Sequence, residues 1–304
     1  MKYIVETKNL CKKYGTFTAL NGLSASIPKG SIYGLVGRNG AGKTTFMRII
    51  CGLQDPSEGE YSLFGAHCKS KEIFNARRRI GAVIESPAVY QGMSARENLL
   101  YQNKVIGMPS DDNVDRLLCL VGLENTGNKK VHSFSLGMRQ RLGIAIAMAA
   151  SPELLILDEP INGLDPQGII EMRELIIRLN KEYGVTIVVS SHILGELSKI
   201  ATHYGFISAG TIVKEMSSEE LLNSCRHCIS IKTSDNYALA RAFYKNKIEY
   251  RIISDDTAEV YENITISALA RILDEEGCEI ISANSRSEDL EAFFINLVGG
   301  ISHA

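Results

Sequence analysis

No run of the chain approaches the roughly 18 consecutive apolar residues that a helix needs to cross a bilayer. The most apolar segment, LGIAIAMAA from Leu142 to Ala150, is about half that length and is cut by Ser151-Pro152. The opening MKYIVETKNL alternates apolar and polar residues, with no uninterrupted apolar stretch and no cleavage site. It reads as a strand rather than a signal peptide, and a cytosolic protein is expected. Charge is equally unbiased: 33 Lys and Arg stand against 35 Asp and Glu, a formal net charge of -2. That lacks the basic excess of a nucleic-acid binder, and no nucleic-acid partner is expected. Seven cysteines, an odd number scattered over 304 residues, do not make a disulfide framework and agree with a reducing compartment. Cys225-Arg-His-Cys228 has the spacing of half a zinc site, but a second ligand pair is missing. The preferred reading there is a linker beside a strand.

What the chain does have is core: 45% of its residues are hydrophobic, and its length suits one large or two medium domains. The strongest signal lies in SIYGLVGRNGAGKTTFMRIICGL, residues 31 to 53. Gly37 and Gly42 bracket four residues and are followed by Lys43 and Thr44, which satisfies G-x-x-x-x-G-K-[ST] in full. Ile32 to Val36 reads as a buried strand, and Thr45 to Cys51 begins a helix with apolar residues at Phe46, Ile49 and Ile50. Glycines let successive backbone N–H groups turn inward, and the helix N-terminus adds the positive end of its dipole. Phosphates fit such a cradle. Lys43 is expected to reach the β- and γ-phosphates, and the Thr44 hydroxyl to ligate magnesium.

SPELLILDEP supplies the acidic partner. Leu154 to Leu157 are four apolar residues, typical of a strand buried on both faces of a parallel sheet. Asp158 then falls at the carboxyl end of that strand, where α/β sheets place their ligands. Alternation along a strand would turn Glu159 away from Asp158. Asp158 therefore suits magnesium, directly or through water, and Glu159 suits polarising the water that attacks the γ-phosphate. The next strand, VTIVVSSH, ends in two serines and His192, a third polar group expected at the same sheet edge.

Many enzymes share a phosphate loop and an acidic strand, so the class must come from what lies between them. HSFSLGMRQRLGIAIAMAASPELLILDEPINGLDP, residues 132 to 166, resembles the ATP-binding subunit of an ABC transporter. Ser135-Leu136-Gly137-Met138 stands in the place of that family's Ser-Gly-Gly-Gln signature, with Leu136 and Met138 as departures, and Arg139-Gln140-Arg141 continues it. The resemblance covers residues 1 to about 220, and it implies roles residue by residue. Tyr14 in CKKYG would stack on adenine. Gly37, Arg38, Asn39, Gly40, Ala41, Gly42, Lys43, Thr44 and Thr45 match the Walker A loop. Asp158 matches the Walker B aspartate, Glu159 the catalytic glutamate, Asp165 the D-loop, and His192 the switch histidine that contacts the γ-phosphate.

GAVIESPAVY, residues 81 to 90, departs from the family pattern, because Glu85 stands where relatives most often carry a glutamine that touches magnesium and the attacking water. A carboxylate there can accept from water or bind magnesium but cannot donate as an amide does. Its charge beside ATP must be offset by the metal or by a nearby cation. Glu85 and SLGMRQR together resemble the bacterial subgroup that exports, or confers resistance to, peptide antibiotics of the bacitracin and lantibiotic kind.

The implied fold is α/β, a P-loop nucleotide hydrolase of ABC type: a RecA-like parallel sheet core with antiparallel β and helical subdomains. It would occupy residues 1–220, the helical subdomain spanning about 86–150, followed by a small α+β domain over 225–304 in which short strands and helices alternate in a ferredoxin-like way. The implied cofactors are ATP and Mg2+. The implied partners are a transmembrane permease subunit and a second ATP-binding subunit. In that pairing, expected to be a homodimer, Ser135 and Gly137 of one copy complete the site of the other. The groove that receives the permease would lie in the helical subdomain, with Val89, Tyr90 and Met93 serving either docking or ordinary packing. The implied location is the inner face of the cell membrane. Three rival readings stand against this one: an ABC-type ATPase acting in translation or repair, opposed by a single phosphate loop, no heptad array and no basic bias; a small-molecule kinase, which leaves SLGMRQR unexplained; and a nonhydrolytic binding module, opposed by the presence of Glu159.

Overall fold

The computed structural model describes residues 2–297 apart from 109–110, 225–226, 255, 263, 288–289, 291–292 and 295–296. Its chain separates into two units, Met1–Ser218 and Glu219–Ala304.

In the first unit, β1 (Tyr3–Tyr14) and β2 (Phe17–Pro28) form an antiparallel hairpin, followed by β3 (Ile32–Val36) and α1 (Lys43–Ile50). Next come β4 (Glu58–Leu63), β5 (Ala66–His67), α2 (Ile73–Arg77) and β6 (Ile80–Val83). The helical part holds α3 (Ala95–Ile106), α4 (Asp112–Leu120) and α5 (Leu136–Met148). The chain then returns through β7 (Leu154–Leu157), α6 (Pro166–Tyr183), β8 (Thr186–Ser191), α7 (Leu194–Leu197), β9 (His203–Ser208) and β10 (Thr211–Ser217), and α8 (Ser218–Ser224) leads from the last residue of this unit into the second.

Two sheets result, an antiparallel one in the order β2-β1-β4-β5 and a six-stranded one in the order β10-β9-β3-β8-β7-β6. In the latter β9, β3, β8, β7 and β6 run parallel and only β10 is reversed. Every residue of β3, β7 and β8 is buried, which explains the mostly apolar spelling of β3 and β7, while β8 also buries Thr186, Ser190 and Ser191. Between the sheets Leu20, Leu35, Phe46, Ile156 and Val188 belong to one core cluster. Each such side chain contributes about 1.5–3 kcal/mol by leaving water.

Helix ends are set by local chemistry. Ser94 and Glu97 form a reciprocal capping box on α3, which stops at Gly107 with φ 75°. Asp165 caps α6, Pro166 occupies its first turn, and Gly184 at φ 67° ends it.

The second unit holds β11 (His227–Thr233), α9 (Asn236–Asn246), β12 (Tyr250–Ser254), β13 (Thr257–Val260), α10 (Ile266–Asp274) and β14 (Ile280–Ser287). Its antiparallel sheet has the order β12-β13-β11-β14, the βαββαβ arrangement of ferredoxin-like folds. Leu239 and Phe243 of α9 and Leu269 and Leu273 of α10 pack with Ile231 and Val260. The Cys225–Cys228 reading rests in part on residues outside those described.

Candidate active site

Four neighbouring parallel strands, β3, β8, β7 and β6, bring their carboxyl ends to one sheet edge, and each delivers a polar group expected there. From β3 the chain turns into the phosphate loop. A Cβ on Gly37 would lie 2.5 Å from Ile207 Cγ2 and 2.6 Å from its carbonyl oxygen, so that position admits only hydrogen. Gly42 sits at φ 109°, and a Cβ there would lie 2.7 Å from the Ala19 carbonyl oxygen. A cavity of about 230 Å³ is lined by residues 39–45 together with Phe17, Ala19 and Glu159.

Lys43 is 6% exposed. Its ammonium donates to the carbonyl oxygens of Gly37 at 2.7 Å and Arg38 at 3.3 Å and stands 3.2 Å from Glu159 Oε1. A buried ammonium needs such oxygens. A phosphate entering the loop would offer it stronger, fully ionised partners.

Asp158 and Glu159 have different partners, but not by strand alternation as the sequence suggested. β7 ends at Leu157, and Glu159 turns into the left-handed region at φ 48°. Asp158 Oδ2 accepts from Thr44 Oγ1 at 2.8 Å and Oδ1 from Ser190 Oγ at 2.6 Å. Ser190 in turn accepts from the Glu159 N–H at 2.8 Å. Glu159 Oε2 stands 2.9 Å from His192 Nδ1, and its buried Oε1, 3.2 Å from the Lys43 ammonium, makes no well-aligned hydrogen bond among the described residues. A buried carboxylate oxygen with bonding capacity left over is suited to accept from a water or substrate group.

Glu85 lies two residues beyond β6, at φ 62°. Val83 is paired with Leu157, so Glu85 and Glu159 fall at the same level beyond adjacent strands. Both occupy left-handed backbone, which costs a non-glycine residue on the order of 1–3 kcal/mol and gathers at functional sites. The cation that the charge of Glu85 requires is Arg48, whose Nη2 is 2.5 Å from Glu85 Oε1.

Other expected residues have local partners. Tyr14 donates its hydroxyl to Gln54 Oε1 and is not among the residues lining the phosphate-loop cavity, whereas Phe17 is. Ser135 caps α5, its Oγ accepting from the Met138 N–H at 3.2 Å. A Cβ on Gly137 would meet Leu164 Cδ2 at 3.7 Å, so the start of α5 lies against the segment before α6. Asp165 Oδ1 accepts from the Gly168 N–H at 3.1 Å. The sequence reading passed over three residues: Ser190, although the serine pair in VVSSH was visible; Phe17; and Arg48, which carried no sequence signal.

The residues present fit a magnesium ion only with help. Thr44 Oγ1 and Asp158 Oδ2 are adjacent hard oxygen donors. Among the described residues no three His, Cys, Asp or Glu side chains are grouped to hold a metal alone. Phosphate oxygens of a bound nucleotide would have to complete the shell, as is usual for magnesium.

The family model described as ABC transporter matches residues 20–162. The bacitracin transport ATP-binding protein BcrA of Bacillus licheniformis is 40% identical over 305 residues, 99% of this chain and 99% of that protein. The lantibiotic transport ATP-binding protein SrtF of Streptococcus pyogenes is 44% identical over 227 residues, 73% of this chain and 96% of that protein. Among solved structures, a dimeric, post-hydrolysis ATP-binding cassette bound to ADP and Pi aligns at a TM-score of 0.62 and 26% identity, covering 70% of this chain and 98% of that one.

Proposed function

The chain belongs to the ABC transporter ATP-binding family and is an ATPase, and on that premise we propose that it powers a permease that removes a peptide antibiotic of the bacitracin kind. One observation carries the choice of substrate class. The resemblance to the bacitracin protein runs through both units, whereas the lantibiotic protein is matched over about the extent of the first.

In the mechanism this site supports, N–H groups of residues 39–45 and the start of α1 receive the β- and γ-phosphates. Lys43 exchanges its carbonyl partners for phosphate oxygens. Magnesium, held by Thr44 and Asp158 with Glu85 facing it, would supply charge neutralisation. Glu159, oriented by His192 and by Ser190 through its backbone, draws a proton from the attacking water as the γ-phosphoryl group leaves ADP. Adenine rests on an aromatic residue of the first hairpin, Tyr14 or Phe17.

Ser135 and Gly137 open α5 with free N–H groups, so two copies in head-to-tail array would each complete the other's site. The permease seat is a cavity of about 360 Å³ beside β6, lined by apolar residues such as Leu53, Ile84 and Ile146 together with Arg77 and Ser86. Tyr90 is half exposed near it in sequence, its ring 4.8 Å from that of Tyr101. No helix among the described residues is long and apolar enough to cross a membrane, so attachment to the inner face would come through the permease.

The test is protection of a bacitracin-sensitive host that makes this chain with its permease. Protection that disappears with Glu159→Gln supports the reading. Protection against a lantibiotic but not bacitracin would overturn the substrate class.

A further inference from the structure

We propose that Arg48 is the resident counter-charge of Glu85, a positioning residue that holds this carboxylate at the strand edge and sets how strongly nucleotide binding depends on magnesium. The inference rests on the reading that Glu85 faces the metal and the phosphates.

Thr44 and Arg48 are four residues apart on α1, which places them on one face of the helix. Each reaches the end of a different strand. Thr44 Oγ1 donates to Asp158 beyond β7, and Arg48 Nη2 pairs with Glu85 beyond β6. β6 and β7 are hydrogen-bonded neighbours, so one helical face binds both acidic strand ends. Glu85 is 61% exposed and Arg48 32% at the side chain, so the pair is not a buried structural bridge. Exposed pairs contribute little to stability. A pair worth so little to the fold can be opened cheaply.

The consequence is electrostatic. With Arg48 in place the end of β6 carries no net charge, and an ATP polyanion can approach before any metal. Without Arg48, the bare carboxylate repels metal-free ATP and attracts magnesium. A glutamine at this position would need no such partner. Arg48 is thus the complement of the carboxylate that replaces the family's usual amide.

The experiment measures ATPγS affinity by titration calorimetry on the full chain, with magnesium in excess and with EDTA, and takes the ratio of the two dissociation constants. Arg48→Met should raise the ratio of the EDTA value to the magnesium value about fivefold, or about 1 kcal/mol. Arg48→Lys should restore most of it. In a Glu85→Gln background, Arg48→Met should bring the ratio back to about the wild-type value, because in both proteins the end of β6 carries no net charge. A purely structural role for Arg48 would weaken both affinities together and would do so in either background, and that result overturns the proposal. If Arg48→Met does not fold, Arg48→Gln removes the charge with a smaller change of shape and is read in the same way. The two levels of inference fail differently. If Glu85→Gln alone leaves the ratio at its wild-type value, the reading of Glu85 as metal-facing falls and takes this one with it. If Glu85→Gln shifts the ratio and Arg48→Met does not, only the role of Arg48 falls.

Discussion

Ser190 donates its hydroxyl to Asp158 at 2.6 Å and accepts from the backbone N–H of Glu159 at 2.8 Å, so one buried side chain fixes both acidic residues. It sits on β8 while both its partners follow β7. Ser190→Ala removes a donor from a buried carboxylate and an acceptor from a buried amide, at about 1–3 kcal/mol. The ATPase rate constant should fall about tenfold or more, with a smaller change in KM, because in the proposed mechanism the groups that lose orientation act on the water and metal rather than on bulk ATP affinity. Steady-state kinetics on the variant, with its melting temperature as a control for folding, checks this.

Gly42→Ala should weaken ATP binding rather than merely slow turnover. The added methyl would lie 2.7 Å from the Ala19 carbonyl oxygen and 2.8 Å from Leu20 Cδ2, at a φ of 109° that side chains avoid. Relief requires the loop to move, and the loop is the phosphate cradle. Overpacking of this kind costs about 1–3 kcal/mol. Equilibrium binding of a fluorescent ATP analogue should show at least a tenfold loss, and wild-type affinity would contradict the tight fit.

Glu97 gives a pH signature remote from the nucleotide. The Lys130 ammonium, with the Ser94 backbone N–H of the capping box, lowers its carboxyl from 4.5 to about 2. A depressed carboxyl stabilises the fold above its unfolded value and loses that contribution as pH falls through its folded one. The melting temperature of Glu97→Gln should therefore lie below wild type at neutral pH. That gap should shrink between pH 4.5 and about 2. A gap that stays constant over that window would contradict the ionic origin.

How much of this was legible in the sequence depends on whether a residue acts within its own segment. β3, β7 and β8 could be placed because burial on both faces leaves short, mostly apolar runs, and Asp158 after β7 and the serines and His192 closing β8 then fall at the sheet edge. The phosphate loop was legible for the same local reason. The βαββαβ order of the second unit was readable from alternating short segments, but its strand order needed the structure. Ser190, Phe17 and Arg48 were missed because their partners are distant in sequence: Arg48 meets Glu85 across 37 positions, and Ser190 meets Asp158 across 32. The left-handed turn at Glu159 was also illegible, since nothing in LDEP marks a glutamate for positive φ. It changes how the two carboxylates are separated without changing which two they are.

The central claim is that Glu159 drives hydrolysis in a pair of chains closed by ATP. The most direct measurement is the light-scattering mass of purified Glu159→Gln with and without magnesium-ATP. The account predicts a monomer without nucleotide and a stable dimer with it, alongside a wild type that hydrolyses ATP and does not accumulate the dimer. A variant that binds magnesium-ATP yet remains monomeric, or one that still hydrolyses at the wild-type rate, would contradict it.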